Sequence, residues 1–396
     1  MISTVHLRPG HHKRARFGYP WVYSNEIRMD ADAKKLPRSS LVRLEASNGE
    51  PLGVATFNPH TLIAARVLSR DPAAIIDEGF IAARLKSALS LRERLYPGRC
   101  YRLIHAEADG LPGLIVDRYG DAVAVQANTA GMDALLPQIL NALDSVLTPG
   151  IVVLRNDSPA RGLEGVVQEV KVAKGTLPGP DGRGPVELSE NGARFLADLQ
   201  GGQKTGWFYD QRDNRAAVAR VAKDSRLLDL YCYGGGFAVA ALLAGACEAV
   251  AVDRSETALG LAAKSASLNR VQLKTVRAEI FEELERLASA GERFGVVVAD
   301  PPAFVKSKKD LAAGSRGYRK LARLSAAIVA PGGFLFIASC SHNVERALFD
   351  DEVRRGLGDA RRSGRILLSS GAAADHPVHP LLPESVYLKG SLIQLD

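Results

Sequence analysis

The chain has 396 residues, with 51 Lys and Arg against 44 Asp and Glu, a net charge of +7, and 46% hydrophobic residues. That size exceeds one ordinary domain and that balance excludes a disordered or fibrous protein, while no apolar run approaches the roughly 20 residues of a bilayer span. The cysteines at 100, 232, 247 and 340 have neither paired nor metal-ligand spacing, so reduced thiols, no metal and a cytoplasmic location are expected, with no secretory signal ahead of the basic stretch HLRPGHHKRAR.

Residues 1–72 contain short β-type runs, Trp21–Tyr23, Leu41–Leu44 and Ile63–Leu68, separated by Gly, Pro and Asn, and read as a small β domain. After the Asp71-Pro72 break, residues 77–95 place apolar side chains at helical spacing and open a second domain, 73–185. Two strands about a Tyr119-Gly120-Asp121 turn, a helix over 132–147 and a strand over 151–155 give it an α+β order, and KGTLPGPDGRGP closes it as a hairpin tip. The third domain, 186–396, alternates strands with helices. Strands are expected at Leu227–Tyr231, Ala249–Asp253, Thr275–Ala278, Val296–Asp300 and Gly333–Ser339, the pattern of a doubly wound parallel sheet.

Ligands of such sheets bind outside the carboxyl ends of the strands. The first strand of the third domain runs into Asp229-Leu230-Tyr231-Cys232-Tyr233-Gly234-Gly235-Gly236-Phe237, a turn whose glycines admit a ligand close to the backbone. A dinucleotide fingerprint wants Gly or Ala where this chain has Val239, which disfavours a pyrophosphate and favours S-adenosylmethionine, which has none. Asp253, ending the second strand, is placed for the ribose hydroxyls, with a helix N-cap as its bland alternative. Glu279, after the third strand, is placed for the adenine amino group.

Asp300-Pro301-Pro302-Ala303-Phe304 follows the fourth strand, and its prolines hold an extended segment that can present Asp300 and a carbonyl to a flat base, with Asp300 and Pro301 also expected at the cofactor. That motif alone suits purine nitrogens. The fifth strand ends in Ser339-Cys340-Ser341-His342, and a thiolate there has a different use. Carbon 5 of a pyrimidine takes a methyl group once a nucleophile has added to carbon 6. Cys340 is therefore the expected nucleophile, with Asp300 steadying the base and Lys306 or His342 favouring the thiolate. Cys100 and Cys247 read as small buried hydrophobes and Cys232 as packing in the turn. Basic clusters at Arg8–Arg16 and Lys306–Lys320 suit RNA, although such clusters are also ordinary solvated faces.

With these motifs in order, the chain resembles the bacterial large-subunit ribosomal RNA cytosine-C5 methyltransferases of the RlmI type. The resemblance runs through Gly18-Tyr19-Pro20-Trp21, Asn58-Pro59-His60, Glu107-Ala108-Asp109-Gly110, Val116-Asp117-Arg118-Tyr119, Gln203-Lys204-Thr205-Gly206, Asp210–Arg215, the two motifs above and Tyr387-Leu388-Lys389-Gly390. It implies an N-terminal PUA domain, a class I methyltransferase domain using S-adenosylmethionine, 23S ribosomal RNA as substrate, and a cofactor site to which Lys204, Phe208, Gln211 and Arg212 contribute. Pro302, Phe304, Lys306 and His342 then face the base. One departure stands at the turn, where the family carries Thr and this chain Gly234; a second cysteine found in another group of RNA cytosine methyltransferases is replaced here by Ala303. Purine N-methylation and a non-catalytic, RNA-binding assembly protein are the alternative readings, and the oligomeric state is open, a homodimer being one arrangement.

Overall fold

The computed structural model describes residues 2–396. It divides into two compact units. The first takes the described residues up to Val186 together with Asp198–Gly206 and Asp375–Pro383, and the second takes Glu187–Ala197, Trp207–Ala374 and Glu384–Asp396.

In the first unit, β1 (Ser3–His6), β2 (Trp21–Tyr23), β3 (Ser40–Glu45), β4 (Pro51–Phe57) and β5 (Ile63–Ser69) form a sheet of order β1-β3-β4-β5-β2. Its core gathers Val5, Leu7, Val42, Leu44 and Phe57, all at most 1% exposed. A second sheet, β10-β9-β8-β7-β6, is built from β6 (Cys100–His105), β7 (Leu114–Tyr119), β8 (Ala122–Ala127), β9 (Ile151–Asn156) and β10 (Glu169–Lys174). The helix Glu78–Leu95 is capped by Asp77, whose side chain accepts from Phe80 N–H. The expected helix over 132–147 is two helices, Ala130–Ala134 and Leu136–Leu147. Pro137 lies in the first turn of the second, where its missing N–H costs nothing. The two sheets are joined by polar bonds: Trp21 Nε1 donates to Glu107 at 2.8 Å, Arg66 pairs with Glu164 at 2.8 Å, and Asn58 donates to Glu164.

Strand β6 escapes the period-2 pattern because Arg102 interrupts an apolar run, yet Arg102 is buried and pairs with Asp117 of β7 through bonds of 2.9 and 2.7 Å. Arg92, fully buried, pairs in the same two-pronged way with Asp109 and also donates to the carbonyl of Asp375. The backbone N–H of Arg102 donates to the Asp375 carboxylate at 2.9 Å. Thr205 donates to Asp117, and Tyr119 Oη donates to the Thr205 carbonyl at 3.1 Å. Arg92, Arg102, Asp109, Asp117, Tyr119, Thr205 and Asp375 thus form one buried network, whose charges are paired as burial demands.

In the second unit, a hairpin of β11 (Val186–Glu190) and β12 (Ala193–Ala197) precedes a seven-stranded sheet. Its strands are β13 (Arg226–Leu230), β14 (Glu248–Asp253), β15 (Lys274–Arg277), β16 (Phe294–Ala299), β17 (Val329–Ser339), β18 (Gly364–Ser370) and β19 (Lys389–Leu395). Their order is β15-β14-β13-β16-β17-β19-β18, with the first five parallel and β19 antiparallel to both neighbours. The order reverses between β13 and its neighbours β14 and β16, which places a switch point at the end of β13. Each face of the sheet is covered: Ile280, Leu284, Tyr318 and Leu321 belong to one core, and Phe237, Ala238, Leu259 and Phe336 to the other. The five parallel strands follow the sequence reading within a few residues. The antiparallel pair β18 and β19 extends that sheet beyond the five expected strands, and GRILLSS and KGSLIQL carry no helix between them to mark a crossover.

Candidate active site

Strand β13 feeds the turn at the switch point. Tyr231 and Tyr233 there adopt φ of +59° and +48°, a left-handed conformation that costs a bulky residue roughly 1–3 kcal/mol and marks functional sites. Gly235, at +75°, caps the helix Gly236–Leu243, and a Cβ on it would lie 2.9 Å from the Ala262 Cβ. A Cβ on Gly234 would lie 3.0 Å from the Trp207 ring. Gly234 is therefore matched by the indole beneath it. Gly236 is equally crowded, by Arg215 at 2.9 Å.

Below the turn, Glu190 accepts from Trp207 Nε1 at 3.1 Å and from Arg215 at 2.6 and 3.1 Å, while Arg215 also donates to the Phe208 carbonyl at 2.6 Å. Arg212 lies 3.6 Å from the same carboxylate, and Gln211 accepts from Asn214 at 2.6 Å. Gln211 and Arg212, expected at the cofactor, are buried in this support. Phe208 is half-buried and packs its ring edge-on to Tyr233 at 5.2 Å, so it reaches the turn directly. Phe237 faces away, into the core against Phe336. Lys204 is exposed and belongs to the first unit, with a left-handed φ of +51°.

Asp229 is 1% exposed and accepts from the Ala238 N–H, so it braces the turn and the helix behind it. Burial pushes its carboxyl up to about 8, opposed by the Ala238 N–H and assisted by the neighbouring Asp300. Asp253 accepts from Tyr233 N–H at 3.1 Å and Ser255 N–H at 2.9 Å, while Ser255 itself caps the following helix. The capping alternative for Asp253 therefore falls to Ser255. The half-exposed Asp253 carboxylate ties the end of β14 to the turn and has lone pairs left for a diol. Glu279 stands at the start of the helix Ile280–Ser289 with its side chain 57% exposed, 3.9 Å from Arg254. These groups suit the uncharged adenosine end of S-adenosylmethionine, for they offer acidic acceptors and a close backbone turn.

Cys340 follows the last residue of β17, and its Sγ donates to the Pro301 carbonyl at 3.8 Å. The two motifs that the sequence set at the ends of neighbouring strands are thus side by side. Asp300 is half-buried, Pro302 exposed, and Phe304 packs tilted against Tyr318 at 4.8 Å between ring centroids. Lys306 and His342 are exposed; the Lys306 carbonyl accepts from Asn343, and the His342 ring lies 5.2 Å from that of Tyr387. Tyr387 in turn donates to Asp210 at 2.5 Å.

A cation missed by the sequence reading is Lys389, the first residue of β19, paired in register with Ser339. It is 5% exposed and donates to the carbonyls of Ser341 at 2.7 Å and Val344 at 2.8 Å. Burial pushes its ammonium down to about 8, with Cys340 acting in the opposite direction and Arg346 in the same one. Its signal was a lysine opening an apolar strand, where an unpartnered charge does not belong. Among the other cysteines, Cys100 is buried, Cys232 is 7% exposed with its thiol pushed well up by burial, and Cys247 is exposed. Cys247 thus corrects the expectation of a buried hydrophobe: it sits in the turn before β14, where the chain surfaces.

A PUA-like domain family matches residues 5–70, and an S-adenosylmethionine-dependent methyltransferase family matches residues 181–357. The chain is 35% identical over 401 residues, all of both chains, to the ribosomal RNA large subunit methyltransferase I of Aeromonas salmonicida. It is 35% identical over 397 residues, 98% of each chain, to the protein of that name from Cronobacter sakazakii. A solved structure described as a SAM-dependent methyltransferase from Streptococcus mutans shares the fold over 100% of both chains, with a TM-score of 0.81 and 20% identity.

Proposed function

Because the chain belongs to the ribosomal RNA large subunit methyltransferase I family, and uses S-adenosylmethionine, we propose that it methylates carbon 5 of a cytosine in 23S ribosomal RNA through a covalent adduct with Cys340. The observation that carries this reading is the 3.8 Å contact between the Cys340 Sγ and the Pro301 carbonyl, thiol against base-presenting loop. Bound at the Tyr231–Gly236 turn, with Asp253 and Glu279 as acceptors, S-adenosylmethionine supplies an electrophilic methyl group.

The Cys340 thiolate adds to carbon 6 of the cytosine, and the electron pair of the ring double bond moves to carbon 5, which takes the methyl group. Asp300 accepts from the exocyclic amino group and holds the ring in the plane of attack. A base takes the carbon 5 proton, and the electron pair it leaves restores the double bond and expels the Cys340 thiolate. Pro302, Phe304, Lys306 and His342 line the approach of the base, and Gln211 and Arg212 serve the cofactor from behind the turn. The target must leave its stem or lie in an open loop to reach Cys340.

The test is incubation with labelled S-adenosylmethionine and protein-free ribosomal RNA, followed by nucleoside analysis. Labelled 5-methylcytosine is expected, and its loss in Cys340→Ala. A methylated purine would replace this reading with the one that Asp300-Pro301-Pro302 also suits; full activity of Cys340→Ala would remove the adduct from the mechanism. Absence of any S-adenosylmethionine binding by calorimetry would leave an RNA-binding assembly protein.

A further inference from the structure

The serines on either side of Cys340 are buried, Ser339 at 0% and Ser341 at 1%, whereas Cys340 itself is partly exposed. Successive side chains of an extended segment point to opposite sides, so fixing Ser339 and Ser341 inward turns Cys340 outward. One group meets both. The hydroxyl of Tyr318, fully buried on the helix Leu311–Ile328, accepts from Ser339 Oγ at 2.8 Å and bonds Ser341 Oγ at 2.8 Å. The Ser341 N–H donates to Ser339 Oγ at 3.3 Å, which closes a ring of three bonds around the cysteine backbone.

The same ring reaches the other loop. Ser341 Oγ accepts from the N–H of Val305 at 3.2 Å, and the Tyr318 ring lies 4.8 Å from Phe304. The helix also gives this loop a flat seat: a Cβ on Gly314 would lie 2.5 Å from the Phe304 carbonyl, and one on Gly317 2.9 Å from its ring. Burial pushes the Tyr318 hydroxyl up, so it keeps its proton and can donate to one serine while accepting from the other.

We propose that Tyr318 is a positioning residue for the methyl transfer, whose hydroxyl sets the Cys340 thiol in register with the Asp300–Phe304 loop. The inference rests on the reading of Cys340 as the nucleophile. A hydroxyl that only filled the core would need one partner, and this one joins both flanks of the nucleophile to the loop that presents the base. Reactive groups that drift by about 1 Å lose on the order of a hundredfold in rate, which sets the scale of the effect.

The experiment compares native protein, Tyr318→Phe, Ser339→Ala, the double variant of these two, and Cys340→Ala in methyl transfer to ribosomal RNA, with KM for S-adenosylmethionine and thermal midpoints measured alongside. The expected result for Tyr318→Phe is a fall in kcat of roughly thirty- to a hundredfold with KM for S-adenosylmethionine within twofold of native. The double variant should be no slower than Tyr318→Phe by more than threefold, since either change opens the same ring. A Tyr318→Phe kcat within threefold of native, or multiplied losses in the double variant, overturns the proposal. Should Tyr318→Phe fail to fold, Ser339→Ala decides alone, by a tenfold fall in kcat or its absence. If Cys340→Ala stays active, the reading of the nucleophile fails; if Cys340→Ala is dead and Tyr318→Phe is fully active, only the positioning role fails.

Discussion

Asp229→Asn isolates a single buried carboxyl. The side chain is 1% exposed, and burial holds its carboxyl at about 8 against an ordinary value near 3.9 in the unfolded chain. The folded protein thus retains a proton that the unfolded chain has released, so this group lowers stability as pH rises from about 4 through about 8. Each pH unit inside that window is worth about 1.4 kcal/mol, which gives about 3 kcal/mol between pH 5 and pH 8 after allowance for the approach to the upper pKa. Asparagine keeps the acceptor for the Ala238 N–H and has no proton to lose. The variant should therefore gain stability relative to the native chain by about 3 kcal/mol from pH 5 to pH 8. The assay is urea unfolding followed by fluorescence in a Trp21→Phe background, which leaves Trp207, buried beneath the turn, as the reporter for the second unit. At a slope of about 2 kcal/mol per molar urea, the gap between the two midpoints should open by about 1.5 M. Equal gaps at pH 5 and pH 8 would refute the assignment of a neutral, buried Asp229.

Two further outcomes follow from the same site. Gly235→Ala forces a side chain into a φ of +75° and against Ala262, so it should cost about 1–2 kcal/mol by thermal unfolding and weaken S-adenosylmethionine binding at least tenfold by calorimetry. A native thermal midpoint with native affinity would show that the turn relaxes freely. Lys389, held at about 8 by burial, should lose its proton as pH rises, and methyl transfer should decline above pH about 8. In Lys389→Arg the cation persists and the decline should move to higher pH; superimposable alkaline limbs would assign the decline to another group, Cys340 being the titratable neighbour and Arg346 a fixed cation.

The parallel strands were legible because each is an apolar run closed by a motif, and because strands buried on both faces need no alternation. Cys340 and Asp300-Pro301-Pro302 were found for the same reason, as polar punctuation at strand ends. Lys389 was not, for its ammonium is answered by carbonyls of Ser341 and Val344 some 48 and 45 positions earlier in the chain, and no local pattern records that. Tyr318 was hidden in another way: on a helix it reads as core, and its hydroxyl gains meaning only when two loops meet it. Gln211, Arg212 and Asp229 were legible by residue type, and what the sequence did not record is their support of the turn, through Asn214, Glu190 and Ala238.

The buried charge network of the first unit also bears on synthesis. Its Asp375 accepts from the Arg102 N–H across 273 positions, and its carbonyl serves Arg92 across 283. A ribosome adding about 5–20 residues per second therefore exposes the two sheets for roughly a quarter of a minute or more before that partner emerges. A fragment stopping near Val186 would carry the guanidinium of Arg92 to its site with one acceptor missing. The nascent chain meets the same condition, so this protein finishes its first-made part last.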